Sequence, residues 1–235
     1  GTPWIVIIGP GGTVAFDGFR ITPDKAAIVI DRLLSDAPPL PVTPLPSDRG
    51  GQDLVGVQTG HPDLTRWPTP RVDPAHAPLT LYRWWTDSCP YCEASLPAID
   101  FLRRRYADRG LETIAIYHPK PPRDVVDQAV AEAARERSFH GAVAIDRDWK
   151  VLKEIYLESE PGGTRPATSV TLLIDAQGIV RYVHPGPEFH PSRDPSKAIQ
   201  NSDYLAIDKA IDLLLPPRPD SATPDTSTEK PTRQK

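Results

Sequence analysis

The alternation of apolar and polar positions is most regular between residues 78 and 217. Apolar and β-branched runs typical of strands alternate there with longer segments whose apolar residues recur at helical spacing. The predicted strands are Leu79–Thr86, Leu111–Tyr117, Ala142–Ile145 and a hairpin of Val170–Ile174 with Val180–Val183; the predicted helices are Tyr91–Asp108, Asp124–Arg137 and Tyr204–Leu215. Such alternation predicts parallel βαβ units, and the late hairpin adds an antiparallel part. We therefore predict an α/β domain with a central mixed β-sheet flanked by helices.

The first 35 residues carry a pattern that resembles the end of this domain. A β-branched run, Ile5–Ile8, precedes the turn 10–12, an extended stretch resumes at 14–16, and a helix is predicted from Thr22 to Leu34. Residues 2–14 align without gaps on residues 168–180, with the turn glycines Gly12 and Gly178 in register. This repetition predicts that residues 1–35 are the C-terminal half, a hairpin plus helix, of an upstream domain like that of residues 78–217. Its first half would precede residue 1.

Two other segments lack a hydrophobic period. Residues 36–77 contain nine prolines and are predicted to be a Pro-rich linker or a segment that wraps around the domain. Residues 218–235 combine Pro, Ser, Thr and charged residues without aromatic side chains, which predicts a disordered tail. The predicted organisation is therefore 1–35, 36–77, 78–217 and 218–235.

Composition excludes some classes of function. The net charge is −4, and a nucleic-acid-binding protein would normally carry a basic face. No apolar run approaches the roughly 18–20 residues of a membrane helix, so no integral membrane segment is predicted in this chain. The chain contains no Met, so we expect it to be a processed product or a fragment.

The chemistry of the chain is concentrated in its two cysteines, Cys89 and Cys92, which are separated by Pro90 and Tyr91. A disulfide scaffold would use more cysteines spread further apart. A zinc site needs about four ligands, and no second cysteine pair is present. A purely structural buried pair stays open as an alternative. The spacing at a strand–helix junction favours a redox dithiol.

The position of the pair in the chain suggests different roles for its members. Cys89 is predicted at a helix N-terminus, where unpaired N–H groups and the helix dipole favour a thiolate. Cys92 lies one turn further into the helix and is predicted to be less exposed. We expect Cys89 to attack a substrate sulfur and Cys92 to resolve the mixed disulfide. Asp87 and Glu93 flank the pair and either relay a proton or stabilise the helix start.

These features together resemble the thioredoxin superfamily, and more closely its TlpA-like/redoxin branch. The matching features are the strand Leu79–Thr86, the string Cys89-Pro90-Tyr91-Cys92, Pro97, the strand Thr113–Tyr117, the hairpin Thr168–Asp175 with Gly178, and the closing helix. The resemblance covers residues 78–217 and implies a thioredoxin fold. Pro97 corresponds to the proline that kinks the first helix in that family.

Two departures from the family pattern concern the surroundings of the dithiol. Thioredoxins place a cis-proline before the hairpin strand, but by the repeat alignment Thr168 and Ser169 stand here. A cis bond before a residue other than proline costs about 2.5–4 kcal/mol, so this bond is predicted to be trans. The second departure is Ser88, where thioredoxins usually have Trp. The string from Thr86 to Cys89 also resembles, weakly, the nucleophile motif of peroxiredoxins.

The resemblance implies an electron-transfer enzyme, a thiol–disulfide oxidoreductase acting on protein disulfide or dithiol clients and reset by an upstream redox partner. It implies no metal and no organic cofactor. It points to the periplasm or cell envelope, with a cytoplasmic redoxin as the alternative. A thiol peroxidase that uses Cys89 and a non-catalytic thioredoxin-like binding module stay open as alternative functions.

Overall fold

The structure is a computed structural model, and it describes residues 5–8, 14–18, 26–27, 29–30, 51–87, 89–159, 165, 167–186 and 188–217. Its strands are β1 (Ile5–Ile8), β2 (Val14–Gly18), β3 (Leu79–Trp85), β4 (Leu111–Tyr117), β5 (Ala142–Ile145), β6 (Val170–Asp175) and β7 (Val180–Pro185). Its helices are α1 (Pro90–Glu93), α2 (Leu96–Arg105), α3 (Asp127–Glu136), α4 (Lys150–Leu152), which continues as a π-helical turn over Lys153–Leu157, and α5 (Ala198–Leu214).

The centre of the fold is a five-stranded mixed sheet with the order β5-β4-β3-β6-β7. Strands β3, β4 and β5 run parallel, and β6 and β7 add an antiparallel pair. This arrangement confirms the predicted thioredoxin fold with a central mixed sheet. The parallel strands require crossovers, which α1, α2 and α3 provide, whereas a tight turn joins β6 to β7.

The sheet is buried on both faces. Successive side chains of a strand point to opposite sides, so the neighbouring residues Trp84 and Trp85 lie on opposite faces. Both are fully buried, Trp85 in the cluster that contains Cys92 and Trp84 in the cluster on the other face. Both faces of β3 therefore pack against other parts of the chain.

The second face is covered in part by residues 51–77, the described portion of the Pro-rich segment. Leu54 and Leu64 from this segment are buried against Tyr82 and Trp84 of β3. The segment also forms isolated bridges from Gln58 to Ile179 and from Arg66 to Ile145. It thus wraps around the sheet, which is one of the two alternatives that the sequence left open for this segment.

The helix predicted over Tyr91–Asp108 is divided in two, and this is a correction. Helix α1 ends at Glu93, Ala94 and Ser95 form a turn, and α2 begins at Leu96. Pro97 lies in the first turn of α2. Because proline has no N–H and its ring crowds the carbonyl four residues earlier, an uninterrupted helix through this position is disfavoured.

The boundaries of two other helices also differ from the sequence-based ones. Helix α3 begins at Asp127 rather than Asp124, because the preceding Val126 is extended. Helix α5 begins at Ala198 rather than Tyr204, directly after a 3₁₀ turn over Pro195–Lys197 that is capped by Asp194. No helix within the described ranges is long and apolar enough to cross a membrane.

The N-terminal hairpin pairs in the same register as the hairpin of the main sheet. A bulge falls between Ile7 and Ile8 in β1, and the other bulge falls between Leu173 and Ile174 in β6, which are the residues aligned with them. Residues 26–27 and 29–30 are helical, and the rest of the segment predicted over 22–34 lies outside the described residues. Membership of residues 1–35 in a second domain stays a prediction.

Candidate functional site

The two cysteines lie where β3 gives way to α1. Cys89 has extended backbone angles and occupies the N-cap position, and its Sγ accepts a hydrogen bond from the Cys92 N–H at 3.3 Å. Pro90 follows at the first helical position, where its missing N–H costs no helical hydrogen bond. The local sequence therefore holds Cys89 with a donor already directed at its sulfur.

The two sulfurs differ in exposure. Cys92 is 3% exposed, whereas Cys89 is only partly buried. This is the order predicted from their positions in the helix. The pair forms a disulfide with a Cα–Cα distance of 5.3 Å. A substrate arriving from solvent therefore meets Cys89 first.

The start of β6 faces the buried sulfur. The Ser169 hydroxyl lies 2.6 Å from the Cys92 Sγ and is itself buried. Thr168 precedes it and is half-buried. The peptide bond between these two residues is trans, as the sequence predicts. The position that faces the cysteine pair thus carries a hydroxyl group in contact with Cys92.

Residues between and after the cysteines form the outer rim of the site. Pro90 is exposed, and Tyr91 is 60% exposed. Pro97 is also exposed and shapes the backbone rather than contacting the sulfurs. Ser88 lies outside the described residues. Tyr91 is therefore the aromatic side chain of this string that is available to contact another protein.

Asp87 lies on the solvent side of the pair. Its carboxylate is 3.4 Å from the Arg123 guanidinium and accepts a hydrogen bond from Thr86 Oγ1 at 3.4 Å. Burial, followed by the hydrogen bond to Asp87, raises the pKa of the neighbouring Tyr117 to about 12. The carboxylate has an arginine partner, and a proton-relay role for Asp87 stays a prediction.

Glu93 is held by a two-point ion pair. The Arg137 Nε and Nη2 each lie 2.9 Å from a Glu93 carboxylate oxygen, and the guanidinium carbon lies 5.8 Å from the centre of the Trp85 ring. The hydrogen bonds to Glu93 raise the pKa of Arg137. This contact ties α1 to the end of α3, and a proton-relay role for Glu93 likewise stays a prediction.

Residues that the sequence did not single out lie beneath the dithiol. Arg83 is fully buried on the same face of β3 as Leu81 and Trp85, and its guanidinium donates to the Cys92 carbonyl oxygen at 3.5 Å. Ser95 is also buried, and its hydroxyl accepts from the Phe189 N–H at 3.0 Å. The one signal for Arg83 was a charged residue inside an otherwise apolar strand.

Several residues at the end of the last strand and just after it are buried. Strand β7 continues through His184 and Pro185, and His184 is buried with its Nε2 3.0 Å from Asp203 of α5. Glu188 is also buried and contacts His190 at 2.9 Å. Among the residues that the structure describes, no group of three or more His, Cys, Asp or Glu side chains is arranged to hold a metal ion.

Comparison with known proteins identifies the family. The model of the Redoxin family matches residues 75–200, more than half of the chain. The chain is 28% identical over 69 residues to the thiol-disulfide oxidoreductase YkuV of Bacillus subtilis (strain 168), a match that covers 29% of the chain and 46% of that relative. The matched region therefore spans less than half the length of this curated relative.

Solved structures show distant likenesses. StoA from Bacillus subtilis is 15% identical with a TM-score of 0.41, covering 55% of this chain and 91% of that one. A secreted disulfide oxidoreductase of Mycobacterium tuberculosis, homologous to DsbE of E. coli, is 14% identical with a TM-score of 0.40, covering 57% of this chain and 81% of that one. These likenesses are too distant to bear on function.

Proposed function

The chain belongs to the Redoxin family, and from this premise we propose that it exchanges disulfides with protein clients through Cys89 and Cys92. The observation that carries the proposal is the disulfide at the start of α1, with one partly exposed sulfur and one buried sulfur. A vicinal pair of this kind stores two electrons when reduced and releases them when its disulfide forms.

The exchange proceeds in two displacements. The Cys89 thiolate attacks one sulfur of a client disulfide, the client S–S bond breaks, and the other client sulfur leaves as a thiolate. The Cys92 thiolate then attacks the Cys89 Sγ, which breaks the mixed disulfide and releases the second client sulfur. Two electrons pass to the client, and the Cys89–Cys92 disulfide is left. The reverse sequence oxidises a client dithiol.

The proposed first role of Cys89 is supported by its partial exposure and by the Cys92 N–H that donates to its sulfur. The proposed second role of Cys92 is supported by its burial and by its position at disulfide distance from Cys89. A partner thiol protein must return the pair to its starting state, and the direction depends on that partner. We propose an envelope location, which rests on the family resemblance.

Client docking involves the exposed rim. Tyr91 is exposed beside Cys89, and the half-buried Thr168 borders the same site through its neighbour Ser169. An aromatic side chain with a polar end suits contact with a partner protein. Pro90 fixes the backbone between the cysteines. The client would therefore meet a small surface around Cys89 rather than a deep cleft.

The test is reduction of insulin disulfides with dithiothreitol as the reductant. We expect activity in the wild type, no activity in Cys89→Ser, and an accumulating mixed disulfide in Cys92→Ser, because only the resolving step is lost. Thr65→Ser, at an exposed position of the segment 51–77, serves as the control and should match the wild type.

Hydrogen peroxide consumption is measured with the same variants. Turnover of peroxide that survives in Cys92→Ser, without insulin reduction, would replace the proposal with a thiol peroxidase. Retention of full insulin reduction by Cys89→Ser would contradict the assigned nucleophile. A wild type that neither reduces insulin nor consumes peroxide, and whose thiols titrate as ordinary cysteines, would indicate a binding module.

A further inference from the structure

A fully buried arginine lies in the centre of the sheet, directly beneath the dithiol. Arg83 is 0% exposed and stands between Leu81 and Trp85 on the face of β3 that carries the Cys92 cluster. Burial of a charged group costs free energy unless the charge is well stabilised, and replacement by an apolar residue is often neutral or stabilising. A charge in this position therefore calls for a reason other than packing.

The guanidinium contacts the Cys92 backbone and three other parts of the chain. Its Nη2 donates to the Cys92 carbonyl oxygen and to Ser95 Oγ, each at 3.5 Å. Its Nη1 donates to Thr171 Oγ1 at 3.2 Å and to the Gly186 carbonyl oxygen at 3.1 Å. One side chain thus connects the α1–α2 turn, strand β6 and the loop after β7.

The same group carries a positive charge at neutral pH. Burial lowers the pKa of Arg83 to about 9, which is still well above 7. The ring of Phe189, whose centre lies 5.5 Å from the guanidinium carbon, favours the cation from one side. The acceptors on Thr171 and Gly186 are hydroxyl and carbonyl oxygens, which stabilise a cation without neutralising its charge.

The remaining ionisable groups around the dithiol are accounted for by contacts of their own. The carboxylates lie in ion pairs, Asp87 with Arg123, Glu93 with Arg137, and Glu188 with His190 and Lys197. Burial lowers the pKa of His118 to about 3, so that this imidazole is neutral at pH 7. Arg83 is accordingly the buried cation of the described residues that hydrogen-bonds the Cys92 backbone.

We propose that Arg83 is a positioning residue that fixes Cys92 and supplies a positive charge favouring the thiolate in the reduced protein. This proposal rests on the proposed function. It identifies one residue that influences whether the cysteine pair oxidises or reduces its clients. A charge that stabilises a thiolate stabilises the reduced pair, so the Cys89–Cys92 disulfide becomes easier to reduce and a stronger oxidant.

The equilibrium with glutathione measures this effect directly. Two glutathione thiols lose two electrons and form one disulfide, while the protein S–S bond breaks and accepts those electrons. One protein sulfur takes a proton, and the other stays a thiolate near Arg83, so that one proton passes to water. Stabilising that thiolate draws the equilibrium towards the reduced protein.

The experiment compares the wild-type chain with Arg83→Met and Arg83→Lys. Thiolate ultraviolet absorbance is titrated against pH, and because the chain has two cysteines the signal belongs to Cys89 and Cys92 alone. We expect Arg83→Met to move the lower thiol titration up by about one pH unit. We expect its equilibrium constant for reduction by glutathione to fall about tenfold, a shift of about 30 mV. Arg83→Lys, which keeps the charge, should recover most of both changes.

The matched control is Arg165→Met. Arg165 is the other buried arginine of the described residues, and it lies against Tyr156 of the opposite cluster and 2.7 Å from Asp53. Its loss should lower the free energy of unfolding without moving the thiol titration. A change of equal size in this control would show that general loosening, rather than the Arg83 charge, accounts for the result.

The outcomes separate this proposal from the proposed function. A folded Arg83→Met protein with the titration and glutathione equilibrium of the wild type would overturn the role of Arg83 while insulin reduction stands. If Arg83→Met does not fold, Arg83→Gln replaces it, and wild-type values in that variant would overturn the role equally. A wild type without insulin reduction contradicts the proposed function, whereas the thiol titration does not depend on a client.

Discussion

The two faces of the five-stranded sheet are buried to a similar degree but hold different chemistry. On one face, helices α1, α2 and α5 cover a cluster that includes Cys92, Trp85 and Phe189, with Arg83 bonded to neutral oxygen acceptors. On the other face, residues 51–77 and the segment around α4 cover Trp84 and Tyr82, and the buried Arg165 contacts a carboxylate.

The difference indicates that both faces contribute to the stability of the domain, whereas one face also influences the thiols. Both faces supply the apolar burial that makes the domain stable. Among the described residues, the first face places a hydroxyl group beside the Cys92 sulfur and a buried cation beside the Cys92 backbone. We therefore expect substitutions on the two faces to have similar effects on unfolding but different effects on the thiols.

The largest effects on the free energy of unfolding should come from truncation of the neighbouring tryptophans of β3. Removal of a buried Trp side chain costs about 3–5 kcal/mol, so Trp84→Ala and Trp85→Ala should lower the free energy of unfolding by similar amounts. Only Trp85 packs in the Cys92 cluster and against the Arg137 that pairs with Glu93. We expect only Trp85→Ala to change the alkylation rate of the reduced thiols.

Chemical denaturation and timed alkylation check this pair of variants. Where either alanine variant fails to fold, the corresponding Trp→Phe variants give the same comparison with a smaller loss of packing. A change in alkylation by Trp84→Ala as large as that of Trp85→Ala would mean that the two faces are coupled and that the separation is wrong.

Ser169→Ala is expected to have an intermediate effect, which falls on the pKa of the Cys92 thiol. The Ser169 hydroxyl lies 2.6 Å from the Cys92 sulfur and can donate to its thiolate. A hydrogen bond to a charged group contributes about 1.5–3 kcal/mol, and one pKa unit corresponds to about 1.4 kcal/mol, so the pKa of Cys92 should rise by about one to two units. A titration of thiolate absorbance against pH measures this rise in the pKa of Cys92.

Thr80→Val is the matched control for that variant. Thr80 is fully buried and alternates with the dithiol-facing residues of β3, so its hydroxyl lies on the opposite face. The thiol titration should stay unchanged in this variant. An unchanged titration in Ser169→Ala as well would show that the short contact does not persist in the reduced protein.

The smallest expected effects are two pH dependences of the free energy of unfolding, which have opposite signs. Burial alone would raise the pKa of Asp100 on α2, but the His140 N–H and the guanidinium groups of Arg103 and Arg104 outweigh it and hold the pKa below its usual value. Burial raises the pKa of Asp146, next to Trp84 on the other face, despite hydrogen bonds from Leu152 and Val151.

For each carboxyl group, the linkage between proton binding and folding gives the direction in which stability changes with pH. The lowered pKa means that Asp100 stabilises the fold above an unfolded pKa of about 3.9 and loses this contribution as the pH falls through its folded pKa. The raised pKa means that Asp146 weakens the fold as the pH rises from about 3.9 through its folded pKa.

Asn variants of both residues measure these directions. The stability advantage of the wild type over Asp100→Asn should shrink as the solution is acidified, whereas its advantage over Asp146→Asn should shrink as the pH rises. Free energies of unfolding at a series of pH values test both. Parallel slopes for the two variants would contradict the assigned directions.

The sequence predicted the features that depend on local pattern. Strand β3 differs from its predicted range only at Thr86, and β5 matches its predicted bounds, because apolar runs between turn residues are a short-range signal. The dithiol was equally evident, since two closely spaced cysteines at a strand–helix junction are typical of a redox pair.

What the sequence could not show depends on contacts between distant residues. The burial of Arg83 follows from acceptors on Thr171 and Gly186, about a hundred residues away. The wrapping of residues 51–77 depends on packing against the sheet and the segment around α4, so the sequence alone left both a linker and a wrapping segment open. The division between α1 and α2 was signalled by Pro97, although the apolar period continues across it.

The path of residues 51–77 has a consequence for association between molecules. Gly56 and Val57 exchange backbone hydrogen bonds with Val180 of one outer strand, and Arg66 accepts a hydrogen bond from Ile145 of the other outer strand. Unpaired outer strands are templates on which a second chain can add and aggregation can begin. The segment occupies part of this template at both edges of the sheet. It thereby blocks part of each edge from pairing with a second chain and disfavours edge-to-edge aggregation.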